Sequence, residues 1–223
     1  MHSTKHESTK TEHRVHTLID PSVVHYLEQC TRDGGITLEV GCGPGQYRQV
    51  VAGEYVGVDL SKEDYEEGLP MTPDLLAEAC TLPFRNDSIT TIFYSGILYY
   101  LNNQRLQQAI TEANRVLKPG GSVLIHDHSK STDEYLQVRY RGTPPSNDPY
   151  VKTANPRSCS HWLKLLSHVG FSDVDISFKS YGGIKPRVLL LKRLLPRWLY
   201  FVWIDHRLAY IIITGQKAKK APK

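Results

Sequence analysis

The chain has 223 residues, 40% of them hydrophobic and 22% charged, and its formal net charge at pH 7 is +4. This length suits one α/β domain with additions and is too short for two ordinary domains joined by linkers. So mild a positive charge does not by itself indicate a nucleic-acid-binding protein, which needs basic residues clustered on one face. The four cysteines lie far apart without a C-x-x-C pair, so we predict neither a disulfide framework nor a metal site.

Both ends of the chain are polar. Residues 1–17 are mostly Ser, Thr, Lys, Glu and His, a composition that cannot bury enough apolar surface to offset chain entropy, so we predict a disordered tail. They include no apolar segment like that of a secretory signal peptide, and together with the isolated cysteines this favours a cytoplasmic protein. A basic tail is expected over 216–223, which leaves 18–215 as the folded domain.

A glycine-rich turn near the start of this domain is the strongest local signal. The apolar run Ile36–Val40 predicts a buried strand, residues 46–51 are expected to be the first turn of a helix, and a second apolar run, 55–58, ends at Asp59. Strand, glycine turn, helix, strand and acidic residue, in this order, are typical of a nucleotide-binding α/β sheet. The glycines of the turn stand at every second position, Gly41, Gly43 and Gly45.

The remaining elements follow from periodicity and from helix-stop signals. Asp20 and Pro21 predict the start of a helix that runs to about Cys30, and Ser61 is a suitable cap for a short helix. Further helices are predicted at 103–117, stopped by Lys118–Gly121, and at 156–169, stopped by Gly170. Five β-branched or apolar runs predict further strands at 75–79, 89–94, 122–126, 174–178 and 209–214. Strands that alternate with helices favour a parallel sheet.

Four motifs in sequence order carry a resemblance to a known family. An acidic residue precedes the glycine turn at Glu39, a second acidic residue ends the next strand at Asp59, Glu78-Ala79 precedes Leu82-Pro83-Phe84, and Leu117–Gly121 precedes the fifth strand. In these motifs the chain resembles the class I S-adenosylmethionine-dependent methyltransferases, in the small-molecule group (methyltransferase type 11) that includes the ubiquinone and menaquinone methylases. The resemblance covers about residues 18–128 and resumes weakly over 156–215.

The resemblance implies a fold. We expect a Rossmann-like seven-stranded sheet of order 3-2-1-4-5-7-6, with strand 7 antiparallel and helices on both faces. Residues 129–155 and 180–207 are expected to form cap elements, the second of them a helical insertion between strands 6 and 7. In residues 185–207, Leu and Trp are interleaved with Lys and Arg. This segment is interpreted either as a lid over the acceptor pocket or as a peripheral membrane contact, with plain core packing as a further alternative.

The resemblance also implies the cofactor, S-adenosylmethionine, and residues that hold it. Glycines in the turn let the backbone approach the cofactor where a Cβ would clash. Glu39 can accept from the ammonium group of the cofactor, Asp59 from both ribose hydroxyls, and Glu78 or the amide of Ala79 can bind the adenine edge. The family commonly has Asp where this chain has Glu78. The cofactor-binding residues expected on this basis are Glu39, Gly41, Gly43, Gly45, Asp59, Glu78, Ala79 and Tyr94, the last beside the sulfonium with Ser95.

An ordinary Rossmann dehydrogenase is the alternative for the glycine turn. Its fingerprint is G-x-G-x-x-G, whereas here the third glycine comes one residue early and position 46 is Gln. The Leu117–Gly121 motif also has no role in a dehydrogenase.

Methyl transfer mainly requires alignment of the acceptor and exclusion of water, and it needs a base only if the acceptor must lose a proton. His126, Asp127 and His128 end the fifth strand, where alternation points both histidines one way and Asp127 the other. We favour His128 as the base, with Asp127 as the alternative. Tyr99, Tyr100 and His161 are candidates for binding the acceptor, although core packing of the tyrosines and surface exposure of His161 are open alternatives.

The expected function is methyl transfer to a small-molecule acceptor, with a lipid-like or amphipathic acceptor suggested by residues 185–207. A non-catalytic cofactor-binding or scaffold module with the same fold is the alternative. Nucleic acid is not expected as a partner, because Tyr94-Ser95-Gly96-Ile97 stands where base methylases have an (Asn/Asp)-Pro-Pro-aromatic motif. The acceptor atom and the oligomeric state stay open.

Overall fold

The computed structural model describes residues 19–61, 73–128, 155, 157–180 and 208–219. The predicted N-terminal tail, the helix expected after Ser61, and most of the C-terminal tail lie outside these residues. So do both predicted cap elements apart from Asn155 and Ser180.

A seven-stranded sheet organises the described residues, in the order β3-β2-β1-β4-β5-β7-β6. Strands β3, β2, β1, β4 and β5 are parallel, and β7 runs antiparallel to both of its neighbours. The predicted strand order and the antiparallel seventh strand are confirmed. The strands are β1 (Ile36–Val40), β2 (Glu54–Asp59), β3 (Leu75–Leu76), β4 (Ile89–Ser95), β5 (Leu117–His128), β6 (Phe171–Ser180) and β7 (Leu208–Lys217).

In the described parts of the chain, three α-helices flank this sheet, and each begins at a side-chain cap. The helices are α1 (Pro21–Thr31), α2 (Asn103–Val116) and α3 (Cys159–Val169). Their caps are Asp20, Asn102 and Ser158, whose side-chain oxygens accept from backbone amides two or three residues further on. None of the described helices is long and apolar enough to cross a membrane.

Buried apolar side chains form one cluster on each face of the sheet. On one face, Val23 and Leu27 of α1 pack against Phe93 of β4 and Leu124 of β5. On the other face, α2 and α3 cover alternate residues of the same strands, including Tyr94 and Ile125. Because side chains alternate along a strand, successive residues of β4 or β5 face α1 on one side of the sheet and α2 and α3 on the other.

Two local elements differ from the sequence prediction. The third strand has two residues rather than five, because the chain turns after Ala77 and Thr81 N donates to Glu78 O at 3.0 Å. The helix expected after the glycine turn is a 3-10 helix, Gln46–Val50, which ends where Val51 becomes extended. A second 3-10 helix, Leu98–Tyr100, follows β4. The helix stop at Lys118–Gly121 is confirmed, although β5 already begins at Leu117.

Candidate active site

The carboxyl ends of β1 and β4 form the crevice where a ligand is expected. These strands are neighbours, with Val40 opposite Tyr94, and the chain order reverses between them. In open α/β sheets, ligands bind at such a switch point, outside the carboxyl ends of the strands. The glycine turn leaves β1 here, and Ser95 ends β4 beside it.

The glycine turn is a backbone cradle tied to β2. Gly41, Gly43 and Gly45 have φ values of 72°, 54° and 71°, in the left-handed region that favours glycine. A Cβ at Gly41 would also collide with the side chain of Ile97. Gly41 N donates to Val58 O at 2.8 Å, which fixes the turn to the neighbouring strand. The three glycines leave the backbone of the turn without Cβ atoms, which suits close approach of a nucleoside-containing cofactor.

Asp59 closes the cradle from the end of β2. Its Oδ2 accepts from Gly43 N at 2.9 Å, and its Oδ1 accepts from Leu60 N at 2.7 Å. Each carboxylate oxygen keeps a second lone pair, so these bonds orient the group and leave it able to accept from a diol. Asp59 therefore lies beside the glycine turn, where the sequence predicted it.

Glu39 lies buried beneath the same turn. It is 1% exposed, and its Oε2 accepts from the hydroxyl of Tyr55. Burial raises the pKa of Glu39 to about 8, and Asp59 adds to this, whereas the Tyr55 hydrogen bond and Arg48 oppose it. A buried carboxyl in this state ionises readily when a cation arrives, so the position suits the ammonium group of the cofactor.

Sequence reasoning missed three residues that support Glu39. The guanidinium of Arg48 lies 4.4 Å from the centre of the Tyr55 ring, and its Nη2 donates to Asp74 Oδ2 at 2.7 Å. The residue opposite Glu39 in β2 is Gly57, whose amide also donates to Asp74 Oδ2 at 2.7 Å. Tyr55 occupies the space that a side chain at Gly57 would crowd. In the sequence, Gly57 was the only hint of this network of contacts around Glu39.

Glu78 and Ala79 are held by contacts that the sequence did not predict. The Glu78 carboxylate forms an ion pair with Arg105 of α2, and both side chains are about two-fifths exposed, 38% and 43%. Ala79 is partly buried against the α2 face of the core. Their role in binding adenine stays a prediction, and the ion pair favours the Ala79 amide over the Glu78 side chain.

The side chain of Tyr94 does not face the crevice, so only its backbone is left for the predicted contact with the cofactor. Its side chain is fully buried on the α2 face, and its hydroxyl donates to Ala109 O at 3.4 Å. Strand alternation turns Tyr94 away from the face on which its neighbour Ser95 lies. Ser95, rather than Tyr94, therefore presents a side chain to the crevice from β4.

His126 and Asp127 lie on opposite faces of β5, as alternation predicts. His126 Nδ1 is 3.3 Å from Ser95 Oγ, and its Nε2 is 3.8 Å from Asp20 Oδ2. Asp127 is 1% exposed and its Oδ1 accepts from His128 N at 2.8 Å. Burial raises the pKa of Asp127 to about 7, against the opposing effects of His128 N and Arg157.

His128 contacts the predicted acceptor-binding tyrosines. Its ring meets that of Tyr99 edge-on, with 4.6 Å between centroids, and the Tyr99 hydroxyl donates to that of Tyr100. Burial, assisted by His126, lowers the pKa of His128 to about 4. The structure therefore brings Tyr99, Tyr100 and His128 into one aromatic cluster.

Arg157, which sequence reasoning missed, holds the 3-10 helix that carries the two tyrosines of this cluster. It is 5% exposed, and its guanidinium donates to Leu98 O at 3.1 Å and to Leu101 O, at the two ends of the 3-10 helix that carries the tyrosines. His161 is half-buried on α3, and burial lowers its pKa with help from the charge of Arg157. Nothing in the sequence around Arg157 marks it as buried.

Within the described ranges, no group of three or more His, Cys, Asp or Glu side chains is arranged to hold a metal ion.

Known proteins resemble this chain in sequence and in fold. Residues 38–125 match the family described as "Methyltransferase domain", a span from β1 into β5 that includes the glycine turn, Asp59 and Ser95. The match thus covers the glycine-turn side of the crevice and ends one residue before His126.

Several curated relatives share part of the sequence. An uncharacterized protein of Methanocaldococcus jannaschii is 28% identical over 144 residues, 63% of this chain and 66% of its own length. The tRNA (carboxymethyluridine(34)-5-O)-methyltransferase of Arabidopsis thaliana is 33% identical over 47% of this chain and 26% of its own length. The demethylmenaquinone methyltransferase of Staphylococcus aureus is 31% identical over 49% of each chain. The alignments therefore span at most 66% of the length of these three relatives.

Solved structures share the fold over most of the chain. A SAM-dependent methyltransferase from Archaeoglobus fulgidus aligns with a TM-score of 0.63 and 16% identity over 87% of this chain and 93% of its own. Phosphoethanolamine N-methyltransferase 2 of Haemonchus contortus, solved with S-adenosyl-L-methionine, aligns with a TM-score of 0.56 and 17% identity over 89% of this chain and 52% of its own. The chain therefore has the fold of these S-adenosylmethionine-dependent methyltransferases, and its residues 38–125 match the methyltransferase-domain family.

Proposed function

We propose that this protein methylates a small-molecule acceptor that enters over the carboxyl ends of β4 and β5. The observation that carries the proposal is the aromatic cluster of Tyr99, Tyr100 and His128, which follows the strand ends next to the glycine turn. When bound, S-adenosylmethionine supplies the methyl group. The protein's own task is to hold the acceptor, exclude water and remove a proton where the acceptor carries one.

Three features of the chain are assigned to the cofactor under this proposal. The backbone of the glycine turn lies against the nucleoside, Asp59 accepts from the ribose hydroxyls, and Glu39 accepts from the ammonium group. Support comes from the left-handed glycines, from the fixed orientation of Asp59, and from the buried carboxyl of Glu39. Ala79 N is assigned to the adenine edge.

The aromatic cluster favours an acceptor with a flat or apolar part. Tyrosine and histidine rings bind planar groups by edge-on and offset contacts, and their polar atoms can orient a hydroxyl or amine. The similarity to a demethylmenaquinone methyltransferase supports an acceptor that combines a ring with an apolar chain. The 185–207 segment, which suggested such an acceptor from the sequence, lies outside the described residues.

Calorimetry with S-adenosylmethionine and S-adenosylhomocysteine tests the cofactor assignment, with Asp59→Asn as the variant. We expect binding by wild type and at least about tenfold weaker binding by the variant, because a charge-assisted bond to the diol is lost. Absence of wild-type binding at millimolar cofactor would contradict the assignment. Arg85→Gln, an exposed change in the turn before β4, is the matched control.

The acceptor class is tested by S-adenosylhomocysteine release over a panel of hydroquinones, phenols and amines, with and without short prenyl chains. We expect turnover of at least one ring-containing acceptor, and loss of that turnover in Tyr99→Ala. Turnover of none of them would contradict the proposed acceptor class. Any turnover would also exclude the alternative of a non-catalytic binding module.

A tRNA acceptor is the second candidate, favoured by a specific observation. Besides the Arabidopsis enzyme, a human protein named probable tRNA methyltransferase 9B is 29% identical over 48% of this chain and 24% of its own length. Transfer of radioactive methyl groups from S-adenosylmethionine to total tRNA would distinguish the two candidates. Labelled tRNA together with an inactive small-molecule panel would favour this second function.

A further inference from the structure

A serine, a histidine and an aspartate follow one another in space on the α1 face of the crevice. Ser95 ends β4 and is the register partner of His126 in β5, so their side chains lie side by side. Ser95 Oγ is 3.3 Å from His126 Nδ1. On the far side of the ring, His126 Nε2 is 3.8 Å from Asp20 Oδ2.

The N-terminus of α1 fixes the orientation of the Asp20 carboxylate. Asp20 is the N-cap of α1, and its Oδ1 accepts from Ser22 N at 2.7 Å. This bond holds Oδ1, so the other oxygen, Oδ2, is the one directed at His126. Asp20 N in turn donates to the Tyr47 hydroxyl at 3.5 Å, and Tyr47 is 1% exposed. The carboxylate is therefore oriented by the amide of Ser22, and the backbone of Asp20 is held by the buried hydroxyl of Tyr47.

We propose that Ser95, His126 and Asp20 form the proton-accepting chain of this site, with His126 rather than His128 or Asp127 as the general base. The inference rests on the proposed function, because it assigns the destination of the acceptor proton. Asp20 Oδ2 lies beyond hydrogen-bond distance of Nε2, but its negative charge favours the tautomer with hydrogen on Nε2, the ring nitrogen nearer to it. Nδ1 then carries the lone pair that faces Ser95 and the crevice.

The proton transfer balances in charge. As the acceptor oxygen or nitrogen gains the methyl group, the carbon–sulfur bond breaks and its electron pair stays on sulfur. The acceptor proton passes to the Ser95 hydroxyl, whose own proton passes to His126 Nδ1. The positive charge lost from the sulfonium thus reappears on the imidazolium, which Asp20 stabilises, and the proton finally leaves to water. Ser95 is the catalytic residue that contacts the acceptor, and Asp20 is a positioning residue.

The surroundings of His126 suit a base that is neutral before reaction. It is 8% exposed, and burial lowers its pKa, with Asp20 acting in the opposite direction. The polar groups that act on it include Asp20 at the start of α1, Ser95 of β4 and His128 of its own strand. Its register partner in β7 is the apolar Ile212. Asp127, in contrast, faces the opposite side of the sheet, and His128 packs against Tyr99.

Nitrogen-15 NMR of histidine-labelled full-length protein tests the geometry without any acceptor. In wild type saturated with S-adenosylhomocysteine at pH 7, we expect neutral His126 with hydrogen on Nε2, identified by its loss in His126→Gln. Asp20→Asn keeps the cap oxygen but removes the charge, so it should lower the His126 pKa and mix the tautomers. Hydrogen on Nδ1 in wild type, or an unchanged His126 signal in Asp20→Asn, would overturn the proposal.

Turnover supplies the second readout, using whichever acceptor of the hydroquinone, phenol and amine panel the wild type methylates. We expect His126→Gln to lower kcat by about 10²–10⁴-fold while cofactor affinity changes less than about twofold. Asp20→Asn should shift the acidic limb of the pH profile to lower pH. His168→Gln, an exposed change at the end of α3, is the control. Full activity of His126→Gln would overturn the proposal. A loss of kcat of that size in His128→Gln, without one in His126→Gln, would overturn it as well.

Failure of the proposed function and failure of the proton chain would give different results. An inactive wild type on every acceptor of the panel contradicts the proposed acceptor class, and the NMR criterion still decides the histidine assignment. Conversely, an active wild type whose His126 carries hydrogen on Nδ1 contradicts the proton chain alone. Circular dichroism and melting of each variant separate a lost base from a lost fold.

Discussion

The two halves of the crevice differ in how several of their side chains are held. On the cofactor side, carboxylates accept from backbone amides, Asp59 from Gly43 and Asp74 from Gly57. On the acceptor side, side chains contact side chains from distant elements, Ser95 with His126 and Tyr99 with His128. Backbone geometry is a property of the fold, whereas side-chain pairs change with single substitutions. Single substitutions are therefore expected to change the acceptor side of the crevice more readily than the side that holds the glycine turn.

The largest effect that would test this contrast is expected at Gly41. Gly41→Ala places an alanine in the left-handed conformation, which destabilises the protein by about 1–2 kcal/mol. Its Cβ also collides with Ile97, which destabilises it by about 1–3 kcal/mol more. The variant should not bind the cofactor. Gly96→Ala is the matched control, because its φ is 67° but no atom lies within 4 Å of the added Cβ. Denaturant unfolding and calorimetry measure both variants. Equal destabilisation of the two would show that strain alone, and not the Ile97 contact, constrains the turn.

A smaller loss is expected at Arg157 on the acceptor side. Arg157→Met removes the donor to Leu98 O and Leu101 O and the charge that faces Asp127, so we expect about 1–3 kcal/mol of destabilisation. Turnover should fall more than cofactor affinity, since the 3-10 helix with Tyr99 and Tyr100 loses its anchor. Arg32→Met, an exposed change after α1, is the control. Weaker cofactor binding in parallel with turnover would mean that the two halves are coupled.

Protonation of Glu39 makes cofactor binding depend on pH. With a pKa of about 8 in the free protein, Glu39 is mostly protonated at pH 7 and must release its proton to face an ammonium group. Affinity should therefore rise by up to about tenfold per pH unit between pH 6 and 8. Calorimetry at pH 7 in phosphate and in Tris measures the released proton. Glu39→Gln should show none, and a buffer-independent enthalpy in wild type would contradict the prediction.

The raised pKa of Glu39 also makes the free energy of unfolding depend on pH. The pKa of Glu39 is raised on folding, so the contribution of this group to stability is complete below its ordinary value of 4.5 and is lost as the pH rises through about 8. Unfolding free energies of wild type and Glu39→Gln should converge at low pH and diverge at high pH, with the variant the more stable there. A constant difference from pH 5 to 9 would contradict this assignment.

The smallest effect is expected at Glu78. Its ion pair with Arg105 is partly exposed, so Glu78→Gln should change stability by less than about 1 kcal/mol. If the Ala79 amide binds adenine, cofactor affinity should change less than about threefold in the variant. A larger loss of affinity in Glu78→Gln than in Arg105→Gln would restore the Glu78 side chain as the adenine contact.

The sequence predicted the sheet, its order and the glycine turn because these depend on local patterns: apolar runs, alternation and residues that permit left-handed backbone. Asp59 was predictable for the same reason, since it ends a strand. At Tyr94 the sequence located the strand end correctly but did not show that the side chain turns into the core. Asp20 was recognised only as a helix cap, and Arg157 was not recognised at all. Their partners, His126 and the Leu98 and Leu101 carbonyls, are distant in sequence and meet only in the folded chain.

Asp74 has a consequence for how this molecule behaves in a crowded solution. The described part of β3 pairs with β2 only at Val58 and Asp59, so the outer edge of β2 would otherwise present open backbone groups at Gly57. Asp74 occupies both of them, its amide donating to Gly57 O at 2.8 Å and its carboxylate accepting from Gly57 N. Exposed strand edges recruit further strands from other chains, and a charge at the edge opposes this. The residue that anchors Arg48 thus also occupies the backbone groups of Gly57, so a strand from another chain cannot pair with β2 at that residue.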